Sequence, residues 1–208
     1  MSGFLLLPGI VDLRCDLLEH HAGLRPEAAD APYVALARAG RAAAAAGVTT
    51  GWLTQGWSWE DAALGPDFAE RVLAVHARMR SLAPGDLRLR LRAETHLVDG
   101  ADRLLAAIRR HAVDIVVFSD RATAASEAPG TPTGLRRRAE AALARSREVP
   151  RHLCRLAEAF DTMGVVYGSL ADPDGETRER FSMIGAGLAA APASRSAAAA
   201  AKAMNEPV

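Results

Sequence analysis

The sequence predicts an α/β chain folded around a parallel sheet, and three observations carry that expectation. Short apolar runs alternate with longer Ala/Leu/Arg stretches of helical period, the pattern of repeated strand–helix units. LRLRLRAETH, from Leu87 to His96, alternates strictly between apolar and charged residues, which is the period of a strand. DIVVFS, from Asp114 to Ser119, is a short apolar run bounded by helical sequence on its N-terminal side.

Taken in order, the first strand is expected over Phe4 to Leu13, apolar at its start and ending among ionisable residues. A helix near Tyr33 to Ala46 follows, rich in Ala and closed by Gly47 at a natural C-cap position. Val48 to Thr54 is the second strand. Asp67 to Ser81 is a helix with Phe68, Val72, Leu73 and His76 on one face. Leu87 to His96 is the third strand, and the helix Ala101 to His111 leads into the fourth, Asp114 to Ser119. Ala124 to Thr133 is a Gly/Pro/Ser/Thr loop. Leu135 to Met163 is helical and interrupted by Pro150. Gly164 to Leu170 is the fifth strand, and Gly185 to Pro192 an Ala-rich sixth. Ala193 to Ala203 is a final helix, and Asn205 to Val208 is expected to fray.

That makes six strand–helix units in 208 residues. A closed eight-stranded barrel usually takes about 250 residues. The expected architecture is therefore an incomplete or distorted TIM-type (β/α) barrel, one domain over residues 1–192 followed by a helical tail over 193–208. A doubly wound open sheet shares the alternation, but its first βα turn carries a Gly-rich phosphate loop. None follows the first strand here.

Composition narrows the function classes. Acidic and basic residues balance at 25 each, so nothing global favours nucleic acid or anionic lipid. All the basic residues but Lys202 are Arg, a compositional bias that accompanies the abundant Ala. Arg136-Arg137-Arg138 reads as a solvated helix face, with no other nucleic-acid element beside it. Cys15 and Cys154 make no disulfide framework, which suits a reducing compartment. FLLLPGIV is short, lacks a basic flank and is broken by Pro8 and Gly9, so no signal peptide or membrane span is expected there. A cytoplasmic protein with no nucleic-acid and no membrane partner is the expectation.

The stretch Leu6 to His20, LLPGIVDLRCDLLEH, resembles the first strand of the amidohydrolase-superfamily diphosphatases that act on ribose methylphosphonate triphosphate in the carbon–phosphorus lyase pathway. Collinear matches continue through Arg25-Pro26, Ala45 to Thr50 (AAGVTT), LRLRLRAETH, Ile115 to Asp120, Ser169 to Asp172, Gly185 and Pro192. The resemblance lacks the family's small β-domain and the last part of its barrel. It implies a metal-dependent hydrolase of phosphorylated compounds, with the metal held at strand C-terminal ends.

Carried over by position, most of that metal site is altered. The first-strand His is Arg14, while the Asp two residues on is kept as Asp16; the third-strand acid is kept as Glu94. The fourth-strand His is Arg121, beside a kept Asp120; the fifth-strand segment is Ser169-Leu170-Ala171-Asp172, and the Glu before Pro192 is Ala191. A Leu cannot coordinate a cation, and Arg14 brings a fixed positive charge where a neutral donor is needed.

Three readings of these residues stand together. Asp16, Glu94, Asp120 and Asp172 are neutralised by Arg14 and Arg121 in salt bridges, a structural remnant. Alternatively, Arg14, Arg25 and Arg121, joined by His96, contact a phosphorylated ligand. Or the acids Asp16, Glu94, Asp120 and Asp172 keep a residual site for Mg, Mn or Zn, with Asp16, Glu94 and Asp172 as catalytic candidates. The sequence thus favours a catalytically degenerate binding or accessory protein for a phosphorylated small molecule or a phosphonate-pathway protein, without a cofactor, over a hydrolase with a reduced metal site. Cys15 has no assignable His partner, and Trp52, Trp57 and Trp59 suggest a stacking or protein-contact surface. An open sheet also needs its edges covered, so a homo-oligomer is expected, with the sixth strand and tail near the contact.

Overall fold

The protein was analysed as a computed structural model, which describes residues 7–22, 26–60, 62–82 and 85–208. Six parallel strands form one sheet in the order β1-β2-β3-β4-β5-β6: Ile10–Cys15, Val48–Trp57, Asp86–Glu94, Ile115–Ser119, Val166–Leu170 and Leu188–Ala190. The sheet curls into a half-barrel whose strands alternate with helices. The connecting helices are α1 (Leu17–Ala22), α2 (Ala31–Ala45), α3 (Pro66–Met79), α4 (Ala101–His111), α5 (Arg121–Glu127), α6 (Thr133–Leu143), α7 (Val149–Met163) and α8 (Gly175–Met183), and α9 (Arg195–Ala203) follows the last strand.

Sheet order equals chain order, and parallel crossovers are right-handed, so the connecting helices all fall on one face of the sheet. Strand parity agrees. On β3, Leu87, Leu89, Leu91 and Ala93 are buried in the core, and Arg88, Arg90, Arg92 and Glu94 take the opposite, concave face. Across the register, Leu91 pairs with Val116 and Val116 with Tyr167 on the helix side, while Arg92 pairs with Val117 on the concave side. The core between sheet and helices is one cluster. Within it Phe118 stacks on Phe160 and Phe181 at 6.0 Å and meets Tyr167 edge-on at 6.3 Å.

Several boundaries differ from the sequence expectation. The part of the expected first strand before Leu7 lies outside the described residues, and the described strand runs on through Arg14 and Cys15. The third strand stops at Glu94, and a turn closed by Leu97 N–H on the Glu94 carbonyl (3.2 Å) carries His96. The expected loop after Ala124 holds most of α5, which begins at an N-cap: Asp120 accepts from Thr123 N–H at 2.9 Å. The long helical region breaks at residues 146–148, and Pro150 sits in the first turn of α7, where its missing N–H costs nothing.

The C-terminal tail does not fray. The Pro207 carbonyl accepts from Ala189 N–H at 3.0 Å, so the chain itself covers the outer edge of β6, and Glu206 forms an ion pair with Arg178 at 3.1 Å. The sixth strand is therefore met by the tail along that edge, and among the described residues the large apolar side chains left open on the sheet are Ile10, Val11 and Leu13 of β1 and Val166 of β5.

One hydroxyl in this core gives an alkaline signature. The Tyr167 O–H is shared between Asp161 Oδ1 (3.0 Å) and the Ile184 carbonyl (3.1 Å). Burial, with the Asp161 carboxylate adding to it, pushes its pKa up to about 12. The unfolded phenol ionises near its ordinary value of about 10, so the unfolded state loses its proton first and this contribution to stability falls from about pH 10 towards 12. Urea unfolding across that window should show wild type losing stability relative to Tyr167→Phe; parallel curves would refute the assignment.

Candidate functional site

The C-terminal ends of β1 to β4, with the turns that follow them, gather most of the ionisable residues singled out in the sequence. Arg14 and Asp16 pair with each other, Nε to Oδ2 at 3.1 Å, and both side chains are nearly half exposed. Arg121 pairs through Nε and Nη2 with Glu60, a residue of the loop after β2, and that carboxylate holds the guanidinium above its ordinary pKa. Its backbone N–H donates to Glu94 Oε2 at 2.8 Å. Arg25 lies outside the described residues.

His96 is brought into the acid cluster. Its Nδ1 is 3.6 Å from Glu94 Oε1 and 3.6 Å from Asp120 Oδ1, with its side chain only 9% exposed. Glu94, and more weakly Asp120, raise the imidazole pKa against the opposing effect of burial. Glu94 is 2% exposed, and its Oε1 has no hydrogen-bond partner among the described residues. The ligand atoms of Glu94, His96 and Asp120 all lie within 4.8 Å of one another.

Asp172 does not join them. Ser169 pairs in register with Phe118 and so faces the helices, and its hydroxyl donates to Asp172 Oδ2 at 2.5 Å. Arg178 of α8, fully buried, donates to Ser169 Oγ (2.6 Å) and the Leu188 carbonyl (3.1 Å), and bonds the Ala186 carbonyl. It lies 3.4 Å from Asp172. Burial nevertheless raises the Asp172 pKa, outweighing Ser169 and Arg178. The fifth-strand acid is thus a structural residue on the covered side of the sheet, and the expected convergence of four acids reduces to Glu94 and Asp120, with Asp16 at the exposed rim.

The concave face of β3 adds residues that the motif comparison passes over. Arg92 pairs with Glu19 of α1 at 3.0 Å, both largely buried. Arg90 is 2% exposed; its Nε donates to Thr54 Oγ1 at 2.9 Å and its Nη1 to the Leu13 carbonyl at 3.2 Å, while Nη2 has no partner among the described residues. Burial lowers its pKa, with Arg14 and Arg92 adding to that and Asp16 and Glu19 opposing it. Around it stand two further guanidinium groups (Arg14, Arg92) and two carboxylates (Asp16, Glu19), each carboxylate already paired. The strict alternation of LRLRLR was the available signal, since it puts successive arginines on one face.

Other sequence candidates resolve into packing. Cys15 is buried and its thiol is pushed up by burial, the opposite of what a nucleophile needs. Trp57 is buried, and Trp52 is engaged by Asp114 (Nε1 to Oδ1, 3.1 Å) and by Arg88, 5.0 Å above its ring. Trp57 is thus committed to packing, while Trp52 and Trp59 are partly exposed. No helix among the described residues is long and apolar enough to cross a membrane. Neither a protein-family model nor a curated protein matches this sequence.

Proposed function

We propose that this chain is an amidohydrolase-like binding protein that holds a phosphorylated small molecule on the concave face of its half-barrel without hydrolysing it. The collinear resemblance to the phosphonate-pathway diphosphatases supports the ligand class. Six parallel strands in chain order agree with a TIM-type barrel lacking its last two units. The changes at Arg14, Arg121 and Leu170 support loss of a dinuclear hydrolytic centre, since two cations are spent on Asp16 and Glu60 and the third position has no donor atom.

The observation that carries the reading is Arg90. A buried guanidinium whose Nη2 has no hydrogen-bond partner among the described residues, beside two further arginines and two carboxylates already paired with them, offers a donor that an anionic ligand can meet. Buried charges are ordinarily paired, and a phosphate monoester supplies both the charge and the acceptor oxygens that a guanidinium fork recognises.

Calorimetric titration with ribose 5-phosphate, and with inorganic phosphate for comparison, tests this. Saturable binding is expected, weakened about tenfold or more by Arg90→Met, as loss of a charged hydrogen bond implies. Arg14→Ala is the second variant, because its exposed position leaves the fold intact. Absence of saturable binding, or equal binding by both variants, overturns the ligand assignment. Steady release of diphosphate from a nucleoside triphosphate overturns the non-hydrolytic part.

A further inference from the structure

The ends of β3 and β4 hold a second constellation, separate from Arg90 in its residues and its chemistry. His96 Nδ1 faces Glu94 Oε1 and Asp120 Oδ1, each 3.6 Å away. What lies between these three atoms depends on which imidazole nitrogen carries the proton, and the neighbouring hydroxyl decides that. Ser146 Oγ donates its hydrogen to the Leu143 carbonyl at 2.6 Å, so toward His96 Nε2, 3.3 Å away, its oxygen accepts. The Nε2–H is thereby fixed as a donor, and in the neutral ring Nδ1 is the bare nitrogen.

Three acceptor atoms then converge. Glu94 Oε1 is buried and unpartnered, because the Arg121 amide is bound at the other oxygen, Oε2. Asp120 is held in place by Thr123 N–H at 2.9 Å and the Thr123 hydroxyl at 2.7 Å. The Thr95 hydroxyl, 3.0 Å from Nδ1, competes as a donor for the imidazole lone pair of that tautomer. At this spacing the two carboxylates call for a positive charge, which either the imidazolium they favour or a cation bound to the neutral ring supplies.

We propose that Glu94, His96 and Asp120 bind a single first-row divalent cation of the zinc or manganese type, with Ser146 orienting the imidazole. Metal–ligand bonds of about 2.0–2.2 Å place the donors of a tetrahedral site about 3.4 Å apart, close to the 3.6 Å from Nδ1 to each carboxylate oxygen here, with all three donors within 4.8 Å of one another. One imidazole and two carboxylates suit such an ion, and three protein ligands leave a coordination position open. Glu94 and Asp120 keep positions of the diphosphatase family's site, whereas the third ligand, His96, matches none of them, and the set takes nothing from the first or fifth strand.

The test is calorimetric titration of chelator-treated full-length protein with Zn²⁺ and, separately, Mn²⁺. One equivalent of at least one of them is expected to bind. His96→Gln and Asp120→Asn should each weaken binding at least tenfold, and Ser146→Ala by about tenfold, the usual effect of removing an orienting partner. Asn still caps α5, so Asp120→Asn retains the fold, and far-UV circular dichroism verifies this for each variant. His20→Ala and Arg90→Met should bind the cation as wild type does, the latter separating this site from the anion site. The proposal is overturned if wild type takes up no stoichiometric cation, if His96→Gln binds unchanged, or if binding is lost with His20→Ala instead.

Discussion

Replacing Arg178 by alanine is expected to destabilise the fold by about 3–5 kcal/mol, the cost of removing one partner from a buried ion pair. The side chain is fully buried and holds together groups from four segments: Ser169 at the end of β5, Asp172 beyond it, the Ala186 and Leu188 carbonyls, and Glu206 of the tail. Without the guanidinium, two carboxylates and two carbonyls face one another in a space closed to water. Lysine should recover only part of the loss, because a single ammonium cannot reproduce the fork that addresses these acceptors. Arg178→Met combined with Asp172→Asn should be milder than Arg178→Ala, since the buried charge goes with its partner. Urea unfolding followed by circular dichroism measures all three. A loss below about 1 kcal/mol for Arg178→Ala would show that the network contributes little to stability.

Phe118→Ala should cost a similar amount, about 3–5 kcal/mol, for a different reason. Phe118 is the hub of an aromatic cluster, with Phe160 from α7, Phe181 from α8 and Tyr167 from β5 around it. Truncation forfeits the transfer energy of the ring and leaves a cavity that three aromatic side chains on separate elements cannot all collapse into. For a chain of this size the melting temperature should fall by roughly 6–20 °C. Phe118→Leu should retain much of the stability; if Leu is as damaging as Ala, ring stacking rather than filled volume is the larger contribution.

How far such residues were legible in sequence depends on what kind of signal they leave. The third strand was legible because LRLRLR alternates, and parity sets Arg88, Arg90 and Arg92 opposite Leu87, Leu89 and Leu91. That this charged face is the concave one was not legible, because it depends on every connecting helix taking the same side. Helix α8 escaped a search for apolar period because its buried residue is Arg178. Its N-cap, Asp174 accepting from Thr177 N–H at 2.8 Å, was the usable signal. Helix α5 escaped likewise, with Asp120 as its cap inside what read as loop composition.

The site shows the same division. Glu94 and Asp120 were legible as strand-end acids, and His96 as a neighbour two residues on. Asp172 looked equivalent to them but is bound on the helix side, and it follows Ala171, whose φ of 59° is left-handed and costly for a residue with a Cβ. Nothing in the residue type announces such a backbone. Ser146 and Glu60 come to the site from distant loops and carry no local pattern at all.

The order of the sheet has a consequence for how the chain assembles. Each strand pairs with the strand before it in sequence, so no pairing waits on a segment made much later. Entropic loop-closure costs stay local, which favours rapid folding. During synthesis the sheet can grow one strand at a time behind the ribosome, each unit templating the next. The exception is the last edge: Ala189 receives its Pro207 bond, and Arg178 its Glu206 partner, only once those residues have emerged. The β6 edge thus waits for residues 206 and 207, and a nascent chain stalled before them carries an open β6 edge and an unfinished charge network.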